Sequence, residues 1–257
     1  MKAIWTGSIG FGLVNIPVKL YSAIEESTLD LDMLDKKDHA NIKFKRVNEN
    51  TGKEVAWENI VKGYYIKDRY VVLDENDFKK AAPEKTDHIE IVQFLDEKEI
   101  DSIYFEAPYY LEPQKAGARA YILLKEALEK TGKAGLGTFI MRNREHVCMI
   151  KVSSDVLILN RLRFGEEIRK TSDLKIPASK SKPSEIKMAV SLINQLTQPF
   201  KPGKFKDDYS DKLLKIIQAK AKGKQAPYKP MKVVHSATKD LMEQLKASLS
   251  EPKKRAS

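Results

Sequence analysis

Cysteine is nearly missing from this sequence: Cys148 is the only one among 257 residues. A lone thiol excludes an internal disulfide and fits a chain kept in a reducing cytoplasm. Histidine is also scarce. His39, His88, His146 and His235 lie far apart and form no His-Glu-x-x-His, so no metal site is expected. No run of about 18 apolar residues occurs, so no membrane-spanning helix is expected. The N-terminus lacks a charged region followed by an apolar stretch and a small-residue cleavage site, so secretion is not expected.

Catalytic motifs are missing as well. Gly7-x-x-Gly10-x-Gly12 has the wrong order for a dinucleotide loop, and Pro17 opposes the helix that should receive a phosphate. Gly132-Lys133 lacks a glycine five residues upstream and a following Ser or Thr. No nucleophile elbow is present. The chain reads as a non-enzyme without a cofactor.

Acidic residues are too few to balance the basic ones, which leaves a net charge of +10. The excess is localised. Residues 201–257 hold 15 Lys/Arg against 6 Asp/Glu, whereas residues 1–200 hold 31 against 30. Within the body, residues 36–69 carry nine basic side chains and five acidic, and residues 74–112 carry four and twelve. Such separation focuses positive potential on one side and favours a polyanionic partner. Charge alone does not choose among DNA, RNA and an acidic membrane.

The first twenty-one residues read as one bent β-strand. Ile4, Trp5, Ile9, Phe11, Leu13, Val14, Ile16, Val18 and Leu20 supply strand-forming side chains, and Gly7, Gly10 and Gly12 mark corners. Ile42, Phe44 and Val47 begin a second strand system. Residues 60–66 and 70–73 form a hairpin, 75–82 a brief helix and 88–95 an alternating strand. Shorter extended pieces follow at 103–105 and 108–111. A longer helix spans 114–131, closed by Gly132. Three strands follow, at 137–142, 146–152 and 156–162. Many short strands with one packed helix imply an α+β, mainly β chain built on a barrel. From about Arg169 the pattern turns helical. Helices are expected at 185–197, capped by Ser184, at 209–222, and at 236–249 after a basic linker. The sequence shows no internal repeat.

Two basic sets are candidates for phosphate contact. The first comprises Lys43, Lys45, Arg46 and Lys53, then Lys62, Lys67 and Arg69 on the next hairpin. The second comprises Arg142, Arg144, Lys151, Arg161 and Arg163 on the later meander. Such groups grip phosphates without reading bases. Leu241, Met242, Leu245 and Leu249 form a stripe that either docks on the body or meets a partner.

Several blocks, taken in order, carry a resemblance to one family. They are the opening Met1–Tyr21, Ile60-Val61-Lys62-Gly63-Tyr64, Tyr70-Val71-Val72-Leu73, Ile100-Asp101-x-x-Tyr104-Phe105 and Tyr110-Leu111-x-Pro113. Ala120-Tyr121-x-Leu123-Leu124-x-x-Ala127-Leu128, Glu167-Ile168-Arg169 and Met188-Ala189-x-x-Leu192-Ile193 continue the series, followed by Asp208-Tyr209 and its helix. These blocks resemble those of the bacterial Ku proteins, which bind broken DNA ends. The resemblance implies a Ku-type antiparallel β-barrel with a bridging arm, followed by a helical C-terminal arm, in a homodimeric ring. That ring would thread onto double-stranded DNA ends without sequence preference. Residues 1–168 would be the barrel and its DNA-encircling bridge, 169–223 the dimerising arm, and 224–257 a linker, partner-recruiting helix and tail. The helix at 241–249 would recruit the ATP-dependent DNA ligase D for non-homologous end joining. The resemblance implies no eukaryotic-type von Willebrand domain. Some members carry Cys-x-x-Cys where this chain has Val47-Asn48-Glu49-Asn50, so no metal is carried over. The lysine-rich extension of many members has no counterpart after Leu249. A sequence-tolerant RNA or single-strand binder remains the alternative, with Tyr64, Tyr65, Tyr109 and Tyr110 as stacking candidates.

Overall fold

The computed structural model describes residues 1–25, 28–81, 87–178 and 181–224. The described residues fall into two compact units: Met1–Lys170, apart from a short excursion at 28–30, and Thr171 onward.

The first unit is built on a closed seven-stranded barrel. Strands β1 (Trp5–Phe11) and β2 (Val14–Ser22) open it. The expected single bent strand is therefore a hairpin. Gly12, at φ +57°, and fully exposed Leu13 form its two-residue turn, with Phe11 opposite Val14. A positive φ at the first turn residue suits glycine and matches the twist of the flanking strands. The apolar Leu13 disguises this turn in the sequence.

An arm leaves the barrel between β2 and the fifth strand. It carries the hairpin β3 (Lys62–Ile66) and β4 (Arg69–Leu73), then helix α1 (Glu75–Ala81). Strands β5 (His88–Asp96), β6 (Phe105–Pro113), β7 (Lys133–Met141), β8 (Arg144–Ser153) and β9 (Val156–Leu162) complete the barrel. Strand order is β1-β2-β6-β9-β8-β7-β5. Neighbours run antiparallel except where β5 returns parallel to β1, with Ser8 opposite His88 and Ile9 opposite Ile89. Closure leaves no free barrel edge. Ser8 Oγ and His88 Nδ1 lie 2.6 Å apart across the closing pair.

The interior is dry. Ile9, Ile16, Leu20, Ile89, Leu111, Phe139, Ile150, Leu157 and Leu159 have essentially no solvent contact. Each such side chain contributes about 1.5–3 kcal/mol by leaving water. Helix α2 (Ala118–Thr131) adds Tyr121, Leu124 and Leu128 to this core. A 3₁₀ turn at Lys115–Gly117 precedes it, so the helix starts four residues later than the expected 114. The Tyr121 hydroxyl donates to the Leu111 carbonyl and accepts from the Leu157 amide, both at 2.8 Å. Glycine matters most at position 137, where β5 bulges between Ile91 and Gln93. A side chain there would collide with the Glu90 carbonyl.

A strap covers part of the barrel's outside. Ile100, Tyr104 and Phe105 pack against Ala134, Met149 and Leu162. Of the piece expected to be extended at 103–105, Phe105 opens β6, but Ile103 and Tyr104 lie in a 3₁₀ turn, Ser102–Tyr104, where the Asp101 carboxylate accepts from the Ile103 amide.

The second strand system expected at residues 42–47 is not a strand. Residues 33–42 and 46–55 are two copies of one turn, offset by thirteen positions. Leu34 bridges Asn41 as Val47 bridges Glu54. The His39 amide donates to the Asp35 carbonyl as the Gly52 amide does to that of Asn48. His39 (φ +60°) and Gly52 (φ +66°) share the left-handed position. This backbone repeat is invisible in the residues, because only Asp35 and Asn48 serve alike, each side chain accepting amides from its own turn.

In the second unit, α3 (Pro183–Leu196) and α4 (Asp208–Ala221) contain no buried residue. Lys182, not Ser184, occupies the N-cap of α3, and Pro183 is its first residue. Asp207 caps α4 by accepting from the Tyr209 and Ser210 amides. The hydroxyl and amide of Ser210 hold its carboxyl below the usual value. The expected helix at 236–249, with Leu241, Met242, Leu245 and Leu249, lies outside the described residues.

Candidate nucleic-acid interface

The arm exposes its side chains on almost every surface. Between residues 31 and 81 only Val55 and Leu73 are partly covered. Lys43 and Lys45 lie on the link between the duplicated turns, Arg46 and Lys53 belong to the second turn, and Lys62, Lys67 and Arg69 to the β3–β4 hairpin. Lys67 (φ +46°) and Asp68 (φ +61°) are the hairpin's two-residue turn, which places Lys67 at the tip. Tyr65 opposes Tyr70, Tyr64 opposes Val71 and Ile66 opposes Arg69. Pleating puts Lys62, Tyr64, Ile66, Arg69, Val71 and Leu73 on one face. Gly63, Tyr65, Tyr70 and Val72 occupy the other. One face is cationic and aromatic; the other is uncharged. The Tyr65 and Tyr70 rings meet edge to face at 5.0 Å.

Three arm cations have partners within the arm. Lys45 Nζ is 2.6 Å from Glu54 Oε2, with both side chains mostly exposed. The Arg46 guanidinium lies 4.6 Å from the Trp57 ring centre, and the Lys62 ammonium 5.0 Å from that of Phe78. Such stacking orients a cation without neutralising it. Trp57 and Phe78 carry no cue in the residue pattern, since each lies far along the chain from its cation. Lys43, Lys53, Lys67 and Arg69 make no ion pair with the described residues.

The second basic set divides. Arg142 (φ +54°) and Asn143 (φ +64°) form the exposed β7–β8 turn, and exposed Arg144 follows. The other three hold the strap and the start of β6. Lys151 pairs with Glu97. Arg161 pairs with Glu106 at 2.6 Å, its buried Nε making no hydrogen bond. Arg163 donates to the Phe105 carbonyl at 2.7 Å. Lys133 adds a further pair, to Asp96 at 3.0 Å. Alternation alone suggests one wet, cationic sheet face; the strap that takes up these charges carries no sequence signal.

Neighbouring side chains show the same local chemistry. Burial pushes the His146 imidazole below its usual value, and the Arg161 charge adds to the effect. Burial pushes the Cys148 thiol up to about 12. Of the tyrosines suggested for stacking, Tyr64 and Tyr65 are exposed, Tyr110 is partly so, and Tyr109 is buried in the barrel.

Residues 10–189 match the family model described as the Ku70/Ku80 beta-barrel domain. The chain belongs to the Ku family. Three similar relatives bear the name "Non-homologous end joining protein Ku". The Cupriavidus necator protein is 44% identical over 226 residues, covering 85% of this chain and 67% of that one. The Coxiella burnetii protein is 37% identical over 262 residues, covering 98% and 96%. The Archaeoglobus fulgidus protein is 38% identical over 257 residues, covering 97% and 98%. The Ku barrel is thus the scaffold from which the cationic arm projects.

Proposed function

We propose that this Ku-family chain binds double-stranded DNA ends without sequence preference, as a homodimeric ring, in non-homologous end joining. The observation that carries this reading is the exposed cationic arm, set on a barrel that has already buried its own core. Lys43, Lys45, Arg46, Lys53, Lys62, Lys67 and Arg69 are the principal phosphate contacts, with Arg142 and Arg144 on the β7–β8 turn. Lys151, Arg161 and Arg163 act mainly by holding the strap that supports the barrel wall. The named relatives support the repair role.

Dimerisation has its own support. Ile186, Val190, Ile193 and Leu196 form an exposed stripe along α3, and Phe200 stacks on Phe205 at 5.8 Å with both rings open to water. Helices that bury nothing of their own need another surface. A second copy, wrapped by residues 169–223, supplies it and closes the ring.

Threading makes a demand that simple electrostatics does not. Linear duplex should bind, while covalently closed circular duplex should bind poorly even at low salt. If about 6–10 phosphates are gripped, affinity for linear duplex falls about 10³–10⁵-fold between 50 and 200 mM salt. Competition among linear duplex, closed circles and single strands tests this. Equal avidity for circles defeats the ring; preference for single strands favours the stacking alternative. The segment 236–249 recruits the ATP-dependent DNA ligase D. Leu245→Asp is therefore expected to spare end binding and abolish ligase stimulation.

A further inference from the structure

On the barrel's outer face, β2, β6 and β9 carry one row of side chains. Tyr21 stands opposite Tyr110, and Tyr110 opposite Ile158. The row floors a cleft of about 760 Å³, within the size range of ligand pockets. Glu112 enters it from β6, and Asp155 from the turn joining β8 to β9. No lysine or arginine lines the cleft among the described residues.

Both carboxylates keep binding capacity. Glu112 accepts the Tyr21 hydroxyl at 2.6 Å through Oε2, which leaves Oε1 available. That hydrogen bond raises the Tyr21 hydroxyl above its usual value, so the phenol stays a neutral donor. Lys19 is the cross-strand neighbour of Glu112 but forms no ion pair with it. Lys125 is near Asp155, and its ammonium is ion-paired with Glu129 at 3.1 Å. Asp155 is exposed, and Tyr110 is partly so.

Ring faces beside carboxylates match a planar cation. A guanidinium stacks flat on an aromatic face while its edge forks to a carboxylate, a planar two-pronged geometry that an ammonium lacks. The two carboxylates make the cleft a poor fit for a phosphate, although Met1, which carries the α-amine, also lines it. We propose that this cleft is a docking site for an arginine-bearing segment of a partner protein, separate from the DNA-binding arm. The arginine lies against Tyr110 and Tyr21, with its donors directed to Glu112 Oε1 and the Asp155 carboxylate. The site does not require the end-binding reading, because it uses none of the arm residues.

The test uses the full chain without DNA, titrated calorimetrically with acetylated, amidated tetra-arginine. Binding should be saturable and should weaken about 5- to 30-fold in Tyr110→Leu, which removes the ring but keeps an apolar side chain. Asp155→Asn, on an exposed turn, should weaken it comparably without disturbing the fold. Glu90→Gln, on a different cleft, should leave it unchanged. Absence of saturable binding overturns the proposal. So does binding indifferent to Tyr110→Leu and Asp155→Asn, or equally weakened by Glu90→Gln.

Discussion

The barrel and the arm belong to one compact unit yet obey different physics. The barrel buries Ile9, Ile16, Ile89, Phe139 and Leu159 completely, and its strands have no free edge. The arm leaves Phe44, Trp57, Tyr64 and Tyr70 at about two-thirds exposed or more. A two-stranded hairpin with both faces wet is marginally stable by itself. The barrel is therefore stabilised from within, whereas the arm draws little stability from packing of its own.

The largest expected effect tests the barrel's side of this contrast. Phe139 is 1% exposed and touches Trp5 edge to face at 6.2 Å. Phe139→Ala should cost about 3–5 kcal/mol in urea unfolding. Tyr65→Ala on the arm should cost under about 1 kcal/mol, since little beyond the Tyr70 ring packs against it. Comparable losses would mean that the arm is packed as tightly as the barrel.

How far the sequence exposed this contrast depended on which signal each element uses. Strand β9 was legible to the residue, because Val156–Leu162 opens with four strand-forming apolar residues directly after a recognisable Ser-Ser-Asp turn. Helix α2 was legible from its apolar face and from Gly132, which takes φ +64° at its end. The duplicated turn was not, because it repeats backbone hydrogen bonds and not side chains. The opening hairpin was obscured because an apolar Leu13 occupies a turn. Among the candidate site residues, Lys67 at a hairpin tip followed from local pattern. The commitment of Lys151, Arg161 and Arg163 to the strap required knowing which distant segment folds over β8 and β9.

A smaller but more pointed effect separates the cations proposed to grip DNA from those that hold the barrel. Charge reversal at Lys43, Lys45 and Arg46 should weaken end binding and lower the salt slope by about one for each phosphate no longer gripped. Thermal stability should barely change, because the Lys45–Glu54 pair is exposed and worth under about 1 kcal/mol. Arg161→Ala should do the opposite. It should destabilise the barrel by about 1–2 kcal/mol through the loss of a charged hydrogen bond to Glu106. Its salt slope should stay that of the parent. An Arg161→Ala protein of normal stability and shallower salt slope would make this residue a DNA-gripping cation.

The smallest effect is chemical and reads the same contrast without unfolding anything. Cys148 lies at 0% exposure in the barrel interior, and burial pushes its thiol up to about 12 from an ordinary 9.0. At pH 8 it should react with a thiol reagent only as fast as the barrel opens. A cysteine placed on the arm by Asn50→Cys should react at once, and DNA ends should protect it. The sign of the accompanying pH effect follows from the raised value. The folded state keeps a proton that the unfolded chain releases, so this contribution to stability is whole below about pH 9 and declines as pH rises towards 12. Slow labelling of Cys148 should therefore accelerate above pH 9 by more than thiolate chemistry alone explains. Immediate labelling at pH 8 would show that the barrel opens as readily as the arm, and the contrast between them would fail.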